Sequence, residues 1–296
     1  MGASANYINQ TELKSIASRS NLWGAWLTLH VWGVIFGAMA IGIIWPLSIP
    51  FMIAIIGARQ HGLAILMHDC AHGVLFNNRA ANDWIGQYIL AAPYGGDMHI
   101  YRKYHLKHHK YTQSDKDPDI GLSAKFPVSK SSLKRKFIRD LTGQTFLRLR
   151  LARLNETKVT GSEAFEKGSI TPTIIANIIL FILLASMGAW WAYFILWLLP
   201  LATVFFAVLR LRNIAEHAMT TRDDNPLTHA RTTTASLFSR VFFAPYFVNF
   251  HVEHHAYMYV PCYRLPALHK SMIAAGHGSF MEQKNNYKDV LQAVVI

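Results

Sequence analysis

Residues 22 to 67 read LWGAWLTLHVWGVIFGAMAIGIIWPLSIPFMIAIIGARQHGLAILM, and this stretch decides the fold. It is apolar, carries no charge before Arg59, and is broken once, at Trp45-Pro46-Leu47-Ser48-Ile49-Pro50. A membrane-crossing helix needs about 20 apolar residues. Leu22 to Trp45 supplies that alone, so the stretch predicts a hairpin of two spans, at about 22–45 and 47–67. Ala38-Met39-Ala40 has the small-residue spacing of a signal-peptidase site, but the apolar run continues beyond it and a second span follows, so the segment is expected to be retained. A second run, Thr173 to Leu209, is free of charge over 37 residues. That is too long for one span. Ser186-Met187-Gly188 is the expected outer turn, which places the other two spans at about 170–187 and 189–209.

The 296-residue chain is 52% hydrophobic and 16% charged, which excludes a disordered chain. Two cysteines, Cys70 and Cys262, are too few for a disulfide framework and are expected as reduced thiols. The net charge of +12 is concentrated: residues 99–170 hold sixteen Lys and Arg against seven Asp and Glu, while both outer turns hold no Lys or Arg. Positive segments stay on the cytosolic side, so the charge, Lys134-Arg135-Lys136 included, is read as topological and not as a nucleic-acid site. The expectation is one all-α integral membrane domain over 1–296, with four spans in two hairpins and a cytosolic helical cap formed by 68–169 and 210–296. Residues 1–21 read as a polar leader with an amphipathic tendency. Trp23, Trp26, Trp45, Trp190, Trp191 and Trp197 fit an interfacial belt.

Both cytosolic span ends repeat one arrangement. His68 follows Arg59 by nine residues and His217 follows Arg210 by seven. Helices continuing past the membrane at about 1.5 Å per residue bring the two imidazoles to a similar depth, roughly 10 to 14 Å beyond the arginines. Nine of the fifteen histidines fall into four short constellations. His68-Asp69-Cys70-Ala71-His72 and Asn213-Ile214-Ala215-Glu216-His217 are spaced by four. His105-Leu106-Lys107-His108-His109 and His251-Val252-Glu253-His254-His255 are spaced by three and four. On a helix those offsets share a face. Imidazole suits Fe, Zn and Cu, and nine imidazoles exceed what one ion accepts, so two metals are expected. Bis-His haem would place single histidines inside the bilayer, which these polar segments disfavour. His30, His61, His99, His229, His269 and His277 stand alone and are read as ordinary core or surface residues.

The HxxxH, HxxHH, HxxHH series resembles the membrane fatty acid desaturase and hydroxylase superfamily, with matching context from about Arg59 to His269. Arg102-Lys103-Tyr104 with His105 to Thr112, then Asp117-Pro118-Asp119, is similar to the middle box of bacterial-type desaturases. Asn249-Phe250 with the last box, then Val260-Pro261 and Leu265-Pro266-Ala267-Leu268-His269, is similar to their final box. The resemblance implies a non-haem di-iron centre on His68, His72, His105, His108, His109, His217, His251, His254 and His255, with Asn213 acting through a water. It departs from the usual pattern at Met258, where a proline commonly stands, and its last box begins with His251 in place of the Gln of front-end desaturases.

What the resemblance implies chemically is O2-dependent desaturation of a fatty acyl chain: two hydrogens leave adjacent methylenes, and O2 takes up those two hydrogens, two external electrons and two protons to become two waters. The alternatives are hydroxylation or ketolation of a lipid or carotenoid, and, from another class, a non-catalytic membrane metal-binding protein. No His-Pro-Gly-Gly haem signature appears. Electrons are therefore expected from a separate ferredoxin, rubredoxin or cytochrome b5 type donor. The acyl chain would arrive as a lipid, an acyl-CoA or an acyl-ACP, and the expected location is a bacterial cytoplasmic membrane with the site on the cytosolic side. Asp69, Glu216 and Glu253 adjoin ligands and could accept a ring N–H from a neighbouring box. Cys70 lies about 200° round the helix from His68 and should pack away from the metals. Asp115, Asp117 and Asp119 read as a turn, with Arg or Lys pairing as the lesser alternative.

Overall fold

The computed structural model describes residues 6–154 and 168–296. The expected leader's first five residues and cap residues 155–167 lie outside the described residues. The architecture is helical, with one two-stranded parallel pairing of Thr232–Thr233 with Gln283–Lys284.

Helix α1, Gln10–Ile16, leads into α2, Asn21–Ile44, whose first turn is capped by the Ser20 hydroxyl. The chain turns over at Trp45 and Pro46, where proline cannot continue the preceding ladder, and returns as α3, Ile49–His72. At 24 residues α3 is about 36 Å long, more than the roughly 30 Å hydrocarbon core. The first histidine constellation therefore rides on the same rigid helix, beyond the apolar part. Gly73, at φ +74°, ends it in the left-handed conformation that favours glycine. Nearly every residue of α3 from Ile56 onward is buried, which makes it the central post of the molecule.

Short helix α4, Arg79–Trp84, passes through a π-helical stretch into α5, Met98–Tyr111, capped by Asp97, which accepts from the backbone of His99 and Ile100. A turn, α6 (Ile120–Ser123), precedes two basic helices, α7 (Lys130–Leu141) and α8 (Gln144–Leu154). Helix α9, Thr171–Ser186, ends at Met187 and Gly188, the latter at φ +73°, which is where the sequence expects the outer turn. The kinked helix α10, Trp190–His217, follows, broken at Thr203 and carrying His217 on its last turn. Among the described residues, three helices are long and apolar enough to cross a membrane: Asn21–Ile44, Pro46–His72 and Trp190–His217. Helix α9 is apolar but has only 16 residues. The remaining elements are α11 (Leu237–Phe242), α12 (His251–Ala256), α13 (Leu265–Ala274) and α14 (Tyr287–Ala293).

Helices α3 and α10 meet closely where Gly57 faces Val204. A Cβ on Gly57 would stand 2.5 Å from Cβ of Val204. That close approach fixes the two helices that carry His68 and His217. Trp23, Trp26, Trp45 and Trp190 are exposed, as a belt requires. Trp197 corrects the sequence expectation. It is fully buried, stacked on Trp32, and its indole N–H donates to Asn177 Oδ1 at 3.0 Å. A polar amide within an apolar helix needs partners, and Trp197 and Tyr193 supply them.

Candidate metal centre

Four segments deliver imidazoles to one place. Helix α3 brings His68 and His72, α5 brings His105, His108 and His109, α10 brings His217, and α12 brings His251, His254 and His255. They sort into two adjoining clusters. In the first, ligand atoms of His68, His72, His105, His109 and His254 lie within 4.8 Å of one another. In the second, His108, His217 and His255 do the same, and His251 joins them, its Nε2 2.9 Å from Nε2 of His217 and 3.1 Å from Nε2 of His255. Each HxxHH box divides between the clusters. His105 and His109 face the first and His108 the second, while His251 and His255 face the second and His254 the first.

The donor geometry fits metal ions. Nε2 of His109 is 3.0 Å from Nε2 of both His105 and His254. Two nitrogens each about 2.1 Å from one ion and at right angles to one another are separated by about 3.0 Å. Both ring nitrogens of His68 and Nε2 of His72 are buried without a hydrogen-bond partner, a costly state for a polar group that has nothing to bind. The far sides of several rings are held. His108 Nδ1 donates to Asp117 at 2.8 Å and His217 Nδ1 to the carbonyl of His229 at 3.1 Å, which fixes the tautomer that leaves Nε2 free. Burial first, then neighbouring imidazole charge, holds His105, His109, His251, His254 and His255 well below the ordinary imidazole value, so their lone pairs are available at neutral pH. His108 differs. Burial pushes it down as well, but its bond to Asp117, with Asp119 and Glu216 nearby, moves it up on balance.

Of the neighbouring acids, Glu253 is buried and accepts from Thr232 at 2.6 Å and from His269 at 2.5 Å. Glu216 pairs with Arg212 at 2.6 Å and stands 3.6 Å from His251 Nδ1. Asp69 accepts from the backbone N–H of Cys262 at 2.7 Å and is 3.4 Å from His68 Nδ1. Cys70 packs against the site of Gly86, where an added Cβ would lie 2.6 Å from its own. The two cysteines are free and buried.

Sequence reasoning missed three groups. Asp117 does form the expected turn, accepting from the backbone of Gln113 and Asp119, but the same carboxylate also holds His108. His269, set aside as a lone histidine, is tied to the last box through Glu253. His229 lies with its ring 5.2 Å from that of His255, its Nε2 buried and without a partner. Only the HxxHH-Asp-Pro-Asp proximity could have signalled Asp117. The other two needed tertiary closure. Asp115, exposed, pairs with Arg222 at 2.8 Å, which is the pairing alternative considered for that turn.

A cavity of about 520 Å³ adjoins the second cluster. His105, His108, His217 and His251 line it together with Asn213, Glu216 and Arg212. Its apolar wall includes Ala64, Met67, Phe205, Phe206 and Leu209. Asn213 is thus on the cavity wall, half-buried, one helical turn before His217.

The model of the family described as "Fatty acid desaturase" matches residues 43–282. The chain belongs to the fatty acid desaturase family. That family is one of oxidoreductases of the desaturase and hydroxylase superfamily, of a di-iron type, and the His clusters of this chain are of the kind that could bind metal. A dihydrorhizobitoxine desaturase of Bradyrhizobium elkanii is 25% identical over 73% of this chain and 65% of its own length, just under two thirds of that relative. A beta-carotene ketolase of Paracoccus sp. (strain PC1) is 26% identical over 83% of this chain and 88% of its own. A human sphingolipid delta(4)-desaturase/C4-monooxygenase is 25% identical over 84% and 73%. The names of these relatives denote different reactions, so the reaction has to be argued from the site.

Proposed function

We propose that this desaturase-family chain introduces a carbon–carbon double bond into an acyl chain, using O2 and electrons from an external ferredoxin, rubredoxin or cytochrome b5 type protein. The observation that carries the reading is the convergence of nine imidazoles into two clusters beside an apolar-walled cavity. Two irons fit the donor set: His68, His72, His105, His109 and His254 would hold one, and His108, His217, His251 and His255 the other, with Asn213 reaching it through a water. When bound, the irons supply the O2-dependent oxidation of unactivated C–H bonds. The chain supplies position and dryness. Phe205, Phe206 and Met67 wall the acyl chain against water, and the packed ends of α3 and α10 hold the histidines at a fixed depth. Residues 68–169 and 210–296 form the cap on the cytosolic side of a bacterial cytoplasmic membrane, and α9 is the fourth span. At about 24 Å that helix is shorter than the hydrocarbon core, and its exposed Ile174, Ile175, Ile178 and Ile182 suit contact with lipid.

A hydroxylase or ketolase is the second reading, favoured by a ketolase relative that this chain covers over 88% of its length. Mass spectrometry of lipids from a host expressing the protein separates them. Desaturation appears as loss of two hydrogens. Gain of an oxygen without any unsaturated product overturns the first reading in favour of the second, and absence of O2 uptake with reductant would leave a metal-binding protein.

Asn213 provides a sharper test. If it holds a metal-bound water, Asn213→Ala lowers single-turnover product per bound iron by about 10- to 100-fold, the usual cost of losing an outer contact. Product yield equal to wild type returns Asn213 to a structural role.

A further inference from the structure

Residues 234–248 leave the last box and its neighbours and return to them. The two ends of this excursion are tied together: the Thr233 N–H donates to the Asn249 carbonyl, and the Asn249 side-chain amide donates to the Thr233 carbonyl, both at 3.0 Å. Between them stand five aromatic residues, Phe238, Phe242, Phe243, Tyr246 and Phe247, and a single charge, Arg240. The excursion contains α11, on which Leu237 is 80% exposed and Phe238 60%. Water is a poor neighbour for adjoining large apolar side chains.

What the excursion touches places it along the apolar part of α3 and not beyond it. A Cβ on Gly62 would lie 2.9 Å from the Tyr246 ring. Arg59 donates to the carbonyl of Arg240 at 3.1 Å and to that of Val241. The ring of Phe242 is 6.1 Å from that of Phe51, which is itself exposed. Along α3 these contacts at Gly62, Arg59 and Phe51 fall about 20, 15 and 3 Å from Ile49. A hydrocarbon layer of roughly 30 Å that begins near the start of α3 contains all three. The same placement accounts for Arg59. A charge within an apolar span is costly without partners, and this buried guanidinium finds them in the last carbonyls of α11, which a helix leaves unsatisfied. At the other end of α11 the Ser236 hydroxyl accepts from the Ser239 N–H. Backbone groups satisfied by protein at both ends of the helix are what a layer without water requires.

We propose that residues 234–248 form a re-entrant segment seated in the bilayer, with Leu237 and Phe238 against lipid acyl chains and Arg59 anchoring it from within α3. The proposal rests on the reading of α3 as a membrane span and takes these residues out of the cytosolic cap. Lipid is the occupant because the exposed face of α11 is continuous, through Phe242, with Phe51 on the exposed face of α3. Arginine has the length to reach the interface from within the layer, which accommodates Arg240. The segment is tied closely to the metal centre. Tyr246 and Phe247 take up left-handed backbone at φ +53° and +62°, and Asn249, which closes the excursion, stands two residues before His251.

Spin-label accessibility in vesicles of phosphatidylcholine and phosphatidylglycerol is the test. Nitroxides on Leu237→Cys and Phe238→Cys are compared with one on Phe36→Cys, on the exposed side of α2, and one on Lys288→Cys, exposed on α14. The unsubstituted chain sets the background, because Cys70 and Cys262 are buried. Collisions with O2 report lipid, and collisions with nickel ethylenediamine diacetate report water. Both excursion labels should match Phe36, with frequent O2 and rare nickel collisions. Arg59→Leu should move the Phe238 label toward the nickel accessibility of Lys288, and Arg59→Lys should move it less. Nickel accessibility at Leu237 and Phe238 equal to that at Lys288 overturns the proposal. Protection from both reagents also overturns it, since a second protein surface would then cover the face. An unchanged Phe238 profile in Arg59→Leu removes the anchor and overturns the proposal as stated. A Phe36 label open to nickel would refute the span reading itself, whereas a lipid-facing Phe36 beside water-facing excursion labels refutes the re-entrant segment alone. The measurement needs neither iron nor turnover, so it stands apart from the reaction.

Discussion

His109→Ala should strip the protein of metal and abolish product formation, a loss well beyond the roughly 10- to 100-fold that follows removal of an outer contact. His109 occupies the junction of the site. Its Nε2 approaches those of His105 and His254 at 3.0 Å each, and its ring lies 4.4 Å from that of His255 in the other cluster. Pairing it with His255→Ala removes one donor from each cluster. Iron per protein and product per protein are the measurements, with zinc introduced during purification replaced by iron before activity is judged. His277→Ala is the control, because that ring packs on Tyr7 at 5.3 Å and takes no part in either cluster. Full metal occupancy in the double variant would refute the assignment of these histidines.

Arg212→Leu is expected to be the most destabilising change away from the histidines. Arg212 and Glu216 are both buried, one turn apart on α10, with Nε and Oε1 2.6 Å apart. Taking away the guanidinium leaves a carboxylate out of water without its cation, which typically costs about 3–5 kcal/mol. Replacing both, as Arg212→Met with Glu216→Leu, should restore most of that stability, because a buried pair is commonly worth little more than apolar residues of similar size. It should not restore the site, since it removes the carboxylate that faces His251 Nδ1 at 3.6 Å. Denaturant unfolding in mixed micelles, run as a double-mutant cycle beside iron content, separates the two effects. An Arg212→Leu protein within about 1 kcal/mol of wild type would show that Glu216 does not depend on its partner.

The three long apolar helices and the histidine clusters were legible for the same reason: both are local patterns. An apolar run of sufficient length declares a membrane helix whatever surrounds it, and offsets of three and four declare one face of a helix before its partner is known. Hence α3 could be read continuously from Ile49 to His72, with its histidines beyond the apolar part. What could not be read depends on closure between distant segments. Glu253 and His269 are sixteen residues apart and meet only because α13 folds back on α12. Trp197 looked like a belt residue because composition gives no sign of which face of a span is covered, and Asn177 settles the matter from another helix. Asp117 carries two roles in one side chain, and the turn was the visible one.

The division of each HxxHH box between the two clusters makes the histidine arrangement intolerant of changes in length. One residue inserted after His105 turns the rest of α5 by about 100° and advances it by about 1.5 Å. That displaces His108 from one cluster and His109 from the other in a single event, and the same holds for an insertion after His251 in α12. A substitution touches one donor, whereas a frame slip within either short helix dismantles both halves together. Length can vary without this penalty only where the chain leaves the helices, as it does between α5 and α7 or between α10 and α12.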